Sequence, residues 1–396
     1  MIKEATGDEN YYFGLSDFQN SSWTFDPTTT PYCPGNWTVI NRFIGHNHPW
    51  YFINRPWIIG GLFSLAVVGL VSNVAVLAYL FRRPHVWRSA FSLLVMQLAV
   101  ADAMVCLFCL LADALWNITM EWLGGTDLCR FIKFMQMFSL YSSAMILTGM
   151  TVERCIAVTY PFTMSRPQTA MQRVKIISMT VWSMAAICSV PQAIIFHVER
   201  APICADFFQC VTFGTYTEPW QEILYTMSTL LIMFLIPVLI IIACFLIIFT
   251  KITQETRLAL GKQRSEEAQT DKELINLSPD CGFGREMYRR TRSFSLWTTS
   301  AIAVVFIFCW APYYTSMAAY LFHFELSNGW MALILSFGMT STVLNPLIYG
   351  LFRFLKRKTL RMPSDPESKS QLLSRSSPTA EARRISLRRW TLIGFL

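Results

Sequence analysis

Apolar and polar positions in this chain segregate into long blocks. Uncharged runs occupy 57–80, 176–196, 223–250, 293–322 and 326–352, separated by short charged connectors. Two further runs, 89–116 and 128–152, are equally long but interrupted. The first holds Asp102 and Asp113, the second Arg130 and Lys133 near one end. A bilayer core about 30 Å thick is crossed by roughly 20 residues of helix, whereas an apolar stretch of about 10–14 suits a buried helix of a soluble protein. The pattern therefore predicts an all-α membrane protein, a seven-transmembrane helix bundle over 57–352. A polar, aromatic-rich tail, 1–56, precedes it, and 353–396 follows. Residues 352–358 alternate apolar and basic side chains, which predicts a short amphipathic helix after span 7 on the membrane surface. The Ser-, Arg- and Pro-rich stretch 363–396 predicts disorder. The connector 251–292 mixes both signs of charge and predicts extended helix ends around a mobile middle. No internal repeat is evident, which weakens a transporter built from repeated halves.

Composition agrees: 53% of residues are hydrophobic and 15% charged, against about a quarter charged in soluble domains. Charge then gives direction. Arg82, Arg83 and Arg88 follow span 1, Arg166, Arg173 and Lys175 follow span 3, and Arg353, Lys356, Arg357 and Lys358 follow span 7. The opposite loops carry Glu121, Asp127, Glu199, Asp206, Glu218 and Glu325. The positive-inside rule places the N-terminus outside and the C-terminus in the cytoplasm. That topology accounts for the net charge of +8 without a nucleic-acid partner. Residues 1–10 are polar, so no cleavable signal peptide is expected and span 1 is the expected insertion signal. Cys33, Cys129, Cys204 and Cys210 fall on the outer side, where disulfides persist. Asn20 and Asn36 head glycosylation sequons on the outer tail.

Polar side chains inside spans carry the candidate chemistry, because each costs several kcal/mol in lipid unless it is paired or functional. Asn73, Asp102, Ser143 and Asn345 lie near mid-depth of spans 1, 2, 3 and 7. Their grouping suits a sodium ion or a proton, and equally a structural hydrogen-bond network. Pro237, Pro312 and Pro346 stand inside spans 5, 6 and 7, where proline permits a kink. Phe306 and Trp310 precede Pro312 in span 6, which places a bulky indole beside the kink as a natural lever. Glu153-Arg154 ends span 3, where a carboxylate can hold a guanidinium in one state and release it in another.

These residues together resemble the rhodopsin-like (class A) family of G-protein-coupled receptors over about 57–358. The matching signals are Asn73, Leu98 to Asp102, Cys129, Glu153-Arg154-Cys155, Trp182, Pro237, Cys309-Trp310-Ala311-Pro312 and Asn345-Pro346-Leu347-Ile348-Tyr349. Cys155 stands where Tyr is usual, and Phe245 where span 5 often has Tyr. The resemblance implies a Cys129–Cys210 disulfide and an outer-tail bridge from Cys33 to Cys204. It implies an activation path through Phe306, Trp310, Asp102, Asn345, Tyr349, Glu153 and Arg154. It also implies a G-protein cleft at Arg154, Pro161 and Phe162, and receptor kinases and arrestin acting on the tail.

Asp113, Trp116 and Asn117, with Glu121-Trp122, Pro191-Gln192, Gln209-Cys210 and Tyr313-Tyr314, are similar to the gonadotropin-releasing hormone receptors and the adipokinetic hormone and corazonin group. Lys133 with Gln136 is similar to the vasopressin/oxytocin receptors. The implied ligand is an amidated neuropeptide hormone of the gonadotropin-releasing hormone or adipokinetic hormone type, signalling through Gq and calcium. A vasopressin/oxytocin-like or corazonin-like peptide is the alternative. Cys129, Lys133, Gln136 and Leu140 share a face of span 3, and Asp113, Trp116 and Asn117 share one of span 2. With Tyr313, Tyr314 and Tyr320 of span 6 they offer an acid, a base, amides and rings, which suits an aromatic peptide of low charge. By the resemblance, Asp113 with Asn117 and Lys133 with Gln136 receive the ligand's modified ends and its Arg or His. Lys133 could instead snorkel to the interface, Trp122 could anchor in the aromatic belt, Tyr314 could be helix packing, and Cys33 could stay free. No enzyme constellation is present: there is no metal-ligand cluster, no nucleophile–base pair and no phosphate loop. Beyond a sodium ion, no cofactor is expected.

Overall fold

A computed structural model describes residues 49–82, 89–160, 167–200, 207–269, 280–321 and 328–360. These form seven long helical rods and one hairpin. The first, α1, is Pro49–Phe81. In α2, α-helical Ala90–Val105 and Ala112–Thr119 are joined through a π turn at Cys106–Leu111. Gly125–Thr159 is α3 and Pro167–Ile195 is α4. Strands β1 (His197–Arg200) and β2 (Phe208–Val211) pair antiparallel, with Val198 opposite Cys210. The next rod, α5, runs Pro219–Leu230, a π turn at Leu231–Leu235, then Ile236–Gln269. Asp280–Leu321 is α6 and Asn328–Leu360 is α7.

Proline and glycine punctuate these rods as their backbones require. Pro49 and Pro219 start helices, where the missing N–H is no loss. Met120 ends α2 in the left-handed region, φ 61°, and its N–H reaches Trp116 O at 2.9 Å. The helices pack as a closed ring around α3, which touches α2, α4, α5 and α6, while α7 closes the ring against α6, α1 and α2.

The burial pattern is that of a chain dissolved in lipid. Val71, Met179, Leu239, Leu246, Val304 and Phe308 are exposed, whereas Asn73, Asp102, Ser139, Ser142 and Thr299 are buried. Apolar side chains on the outside, with polar ones withdrawn into a largely apolar interior, suit a hydrocarbon solvent, where only internally bonded backbone survives. Among the described residues, six helices are long and apolar enough to cross a membrane. The rod outside that set is α3, whose Ser139, Ser142, Thr151 and Glu153 face the bundle interior. Its polarity reflects its central position.

Several element boundaries differ from the pattern-based expectation. Helix α1 begins at Pro49 and so takes in residues expected to belong to the tail. The expected amphipathic segment is helical, but α7 runs into it unbroken to Leu360. The helix ends expected to flank the 251–292 connector are present, to Gln269 and from Asp280. Hydropathy did not reveal the hairpin, nor the two π turns, because an inserted residue leaves composition unchanged. Asn20, Asn36, Cys33, Cys204, Pro161, Phe162 and the tail beyond 360 lie outside the described residues, as does the side chain of Tyr320.

Candidate functional site

The hairpin caps one end of the bundle. A disulfide joins Cys129 at the start of α3 to Cys210 of β2, and Trp122 N–H donates to Phe208 O at 2.9 Å. Gln209 reaches inward from β2, accepting from Trp116 Nε1 at 3.1 Å and donating to Met120 O. The Trp122 ring meets Trp116 edge-on, centroids 5.4 Å apart, and its Nε1 donates to Gly125 O at 2.9 Å. The turn between α2 and α3 is thus stitched to the hairpin by side chains from three elements.

Below this cap lie the acid and base of the expected pocket. Gln136 Nε2 donates to Asp113 Oδ1 at 2.9 Å. The Lys133 ammonium lies 4.5 Å from the Trp116 ring centre and 5.1 Å from that of Phe196. A cation held on aromatic faces gains about 0.5–2 kcal/mol, more when water is excluded. Lys133 therefore turns into the bundle between α2 and α4, and does not reach along α3 to an interface. Asn117 Nδ2 bonds back to Asp113 O at 2.8 Å, so the acid is shared with Gln136 across helices and not with Asn117 through side chains. Arg55 of α1 secures this end of α2, donating from Nε to Asn117 O at 2.9 Å and from Nη2 to Ile118 O at 3.0 Å. A basic side chain on the last carbonyls of a helix satisfies orphan acceptors and complements the dipole.

Deeper in the bundle the rings of α5 and α6 interlock. Tyr314 is buried and stacks on Phe234 with centroids 4.6 Å apart. Trp310 lies 5.8 Å from Tyr314 and 6.0 Å from Tyr313. Phe234 belongs to the π turn of α5, where the extra residue brings its ring within 6.3 Å of Phe306. Trp310 Nε1 donates to Ser341 Oγ at 3.2 Å. A cavity lined by Leu140, Ser143, Met233, Phe306, Trp310 and Tyr314 lies between these rings and α3.

Directly beneath is the polar centre. Asp102 is fully buried; it accepts from Ser143 Oγ at 2.7 Å and from Asn345 Nδ2 at 2.8 Å. Asn73 Nδ2 donates to Thr342 O at 3.1 Å, tying α1 to α7. Asn345 Oδ1 is buried with no hydrogen-bond partner among the described residues. A buried carboxylate, a hydroxyl and an orphan amide oxygen form an all-oxygen donor set of the kind hard cations prefer.

At the far end Arg154 pairs with Glu153 and donates from Nη1 to Ser295 Oγ of α6 at 2.9 Å. Glu153 also takes Arg173 of α4 at 3.2 Å. The Arg154 guanidinium lies 5.3 Å from the Phe91 ring. Three helices are therefore held together around one arginine. Arg55, Phe196, Phe234, Ser295 and Ser341 are not marked by the sequence pattern, and Gln209 is marked only by resemblance. Each is an ordinary residue type whose role depends on a neighbour far along the chain.

Comparison with known proteins agrees with this architecture. Residues 72–349 match the model of the 7 transmembrane receptor (rhodopsin family). The chain is 30% identical over 348 residues to a gonadotropin-releasing hormone receptor of Octopus vulgaris, covering 87% of this chain and 79% of that one. It is 27% identical over 293 residues to a gonadotropin-releasing hormone II receptor of Clarias gariepinus, covering 73% of each. It is 29% identical over 301 residues to cephalotocin receptor 2 of Octopus vulgaris, covering 74% and 68%.

Proposed function

The chain belongs to the rhodopsin family of seven-transmembrane receptors, and from that premise we propose that it is a plasma-membrane receptor for an amidated neuropeptide hormone. The ligand is of the gonadotropin-releasing hormone or adipokinetic hormone type. The observation carrying the peptide reading is the cluster of Asp113, Gln136, Lys133 and Trp116 under the hairpin. It presents an acid and a base that attract each other across the cluster without a direct ion pair, each bonded or stacked on a neutral partner, so a ligand's charged groups can compete for both. The names of the relatives point the same way. In this reading the hairpin end and the N-terminus face outside, and Arg154, Pro161 and Phe162 face the G protein in the cytoplasm. Tyr313 and Tyr314 complete the pocket, and Asn20 and Asn36 carry glycans on the outer tail. Gq is the partner by resemblance, and receptor kinases and arrestin act on the cytoplasmic tail.

Peptide binding acts by shifting an equilibrium between closed and open bundles. In the closed state Arg154 is tied to Glu153 and Ser295. Contact between a peptide and the rings around Trp310 moves α6, and the Arg154–Ser295 link between α3 and α6 breaks. Asp102, Ser143 and Asn345 would hold a sodium ion, which balances the buried carboxylate in the closed state.

Cells expressing the chain are expected to raise calcium when given amidated peptides of this type, read against a panel that includes vasopressin/oxytocin-like and corazonin-like members. A response to the latter members alone would reassign the peptide. Silence in every pathway, despite surface expression, would refute the receptor reading.

A further inference from the structure

Arg353 lies one helical turn beyond Tyr349 on α7, at the i+4 position where side chains meet. Its Nη1 donates to Tyr349 Oη at 2.8 Å, and its Nε donates to Tyr79 Oη of α1, also at 2.8 Å. The guanidinium plane lies 4.7 Å from the Tyr79 ring centre and 5.8 Å from that of Tyr349. One planar cation thus spans two phenols 270 positions apart in the chain, using separate nitrogens of a rigid fork, a geometry lysine cannot reproduce. The other end of Tyr349 does different work. Tyr349 also lines a cavity with Asn73, Leu98, Asp102, Ile302 and Asn345. Tyr349 therefore borders the polar centre while its hydroxyl is bonded to Arg353.

From this geometry we infer that Arg353 is a positioning residue that clamps Tyr349 to α1 in the closed receptor. Release of the clamp is then part of activation. While the hydroxyl accepts from Arg353 its position is fixed toward that guanidinium, and the side chain stays at the edge of the polar cavity. Freed, the phenol can turn inward, and α1 and α7 lose their link at this end. The inference rests on the receptor reading, because its functional consequence is G-protein activation without agonist.

The test uses the full chain in lipid nanodiscs as wild type, Arg353→Ala, Arg353→Lys and Tyr79→Phe. Agonist-independent nucleotide exchange on purified G proteins is measured per folded receptor. Pulsed spin-label distances between α2 and α6 at the Arg154 end are measured in parallel. Arg353→Ala, which removes both charge-assisted hydrogen bonds, is expected to raise basal exchange at least about tenfold, and to lengthen the distance. Arg353→Lys falls between, and Tyr79→Phe moves the same way by less. Basal exchange and distances in Arg353→Ala equal to wild type overturn the clamp. Should that variant not fold, Tyr79→Phe decides by the same criterion. If wild type with agonist drives exchange on no G protein, the receptor reading fails, while the distances still judge the clamp.

Discussion

At position 133 a lysine has exchanged water for two aromatic faces, and at 113 an aspartate is held by a neutral amide. These opposite charges, one helix apart, attract each other, yet each makes its close contact with a neutral partner and not in a direct ion pair. Asp113→Asn is the informative change. It preserves the acceptor for Gln136 Nε2 and removes only the charge. A peptide bearing Arg or His is expected to lose at least about tenfold in affinity, about 1.4 kcal/mol, with little change for a neutral analogue. Lys133→Met is expected to weaken both, since it removes the cation from the ring cage. Equal losses for charged and neutral peptides in Asp113→Asn would assign that residue to packing. Radioligand competition on membranes reads all of these. The identities of Asp113, Lys133 and Gln136 as pocket residues were legible from helical spacing. Their partners were not, because a hydrogen bond between α2 and α3 depends on how far each helix is rotated.

Helix rotation is an element-scale property, and here the π turns set it. A single extra residue turns everything beyond it by about 100°, so the segment of α2 after Leu111 presents a different face from the one its upstream period predicts. Close approach is the other such property. A Cβ on Gly338 would lie 2.8 Å from Cε3 of Trp310, so α7 leaves exactly the space that the indole fills. Small residues let helices approach where lipid supplies no hydrophobic drive. Gly338→Ala is expected to displace Trp310 from Ser341 and so to change basal signalling at unchanged surface amount. Intrinsic tryptophan fluorescence and basal exchange check it; no change in either would mean the ring has room to give. Nothing in the local sequence around Gly338 announces this contact, since Trp310 lies on another helix.

For the whole molecule, the polar centre couples the two ends. Asp102 joins α2 to α3 through Ser143 and to α7 through Asn345, so an ion bound there favours the helix arrangement that brings these oxygens together. Sodium is expected to lower agonist affinity several-fold relative to N-methylglucamine at equal ionic strength, and Asp102→Asn to abolish the difference. Competition binding in the two salts measures it; equal affinities in wild type would leave the centre a structural network. This depth of polar side chains was visible from the sequence, because apolar spans make a single carboxylate conspicuous.

Seven membrane crossings were legible from the residues alone, since a span needs only a run of about 20 apolar positions and polar groups in hydrocarbon are costly wherever they stand. The sequence by itself also exposed Asp102, Asn345, Trp310 and Arg154, whose residue types are costly or unusual where they stand. Only the tertiary structure decided that Lys133 rests on Trp116, that Gln136 rather than Asn117 holds the Asp113 side chain, and that Arg353 bridges Tyr79 and Tyr349. Those pairings depend on the rotation and tilt of whole helices. These follow from packing along their full length, from π turns that composition does not mark, and from glycines whose neighbours lie on other helices.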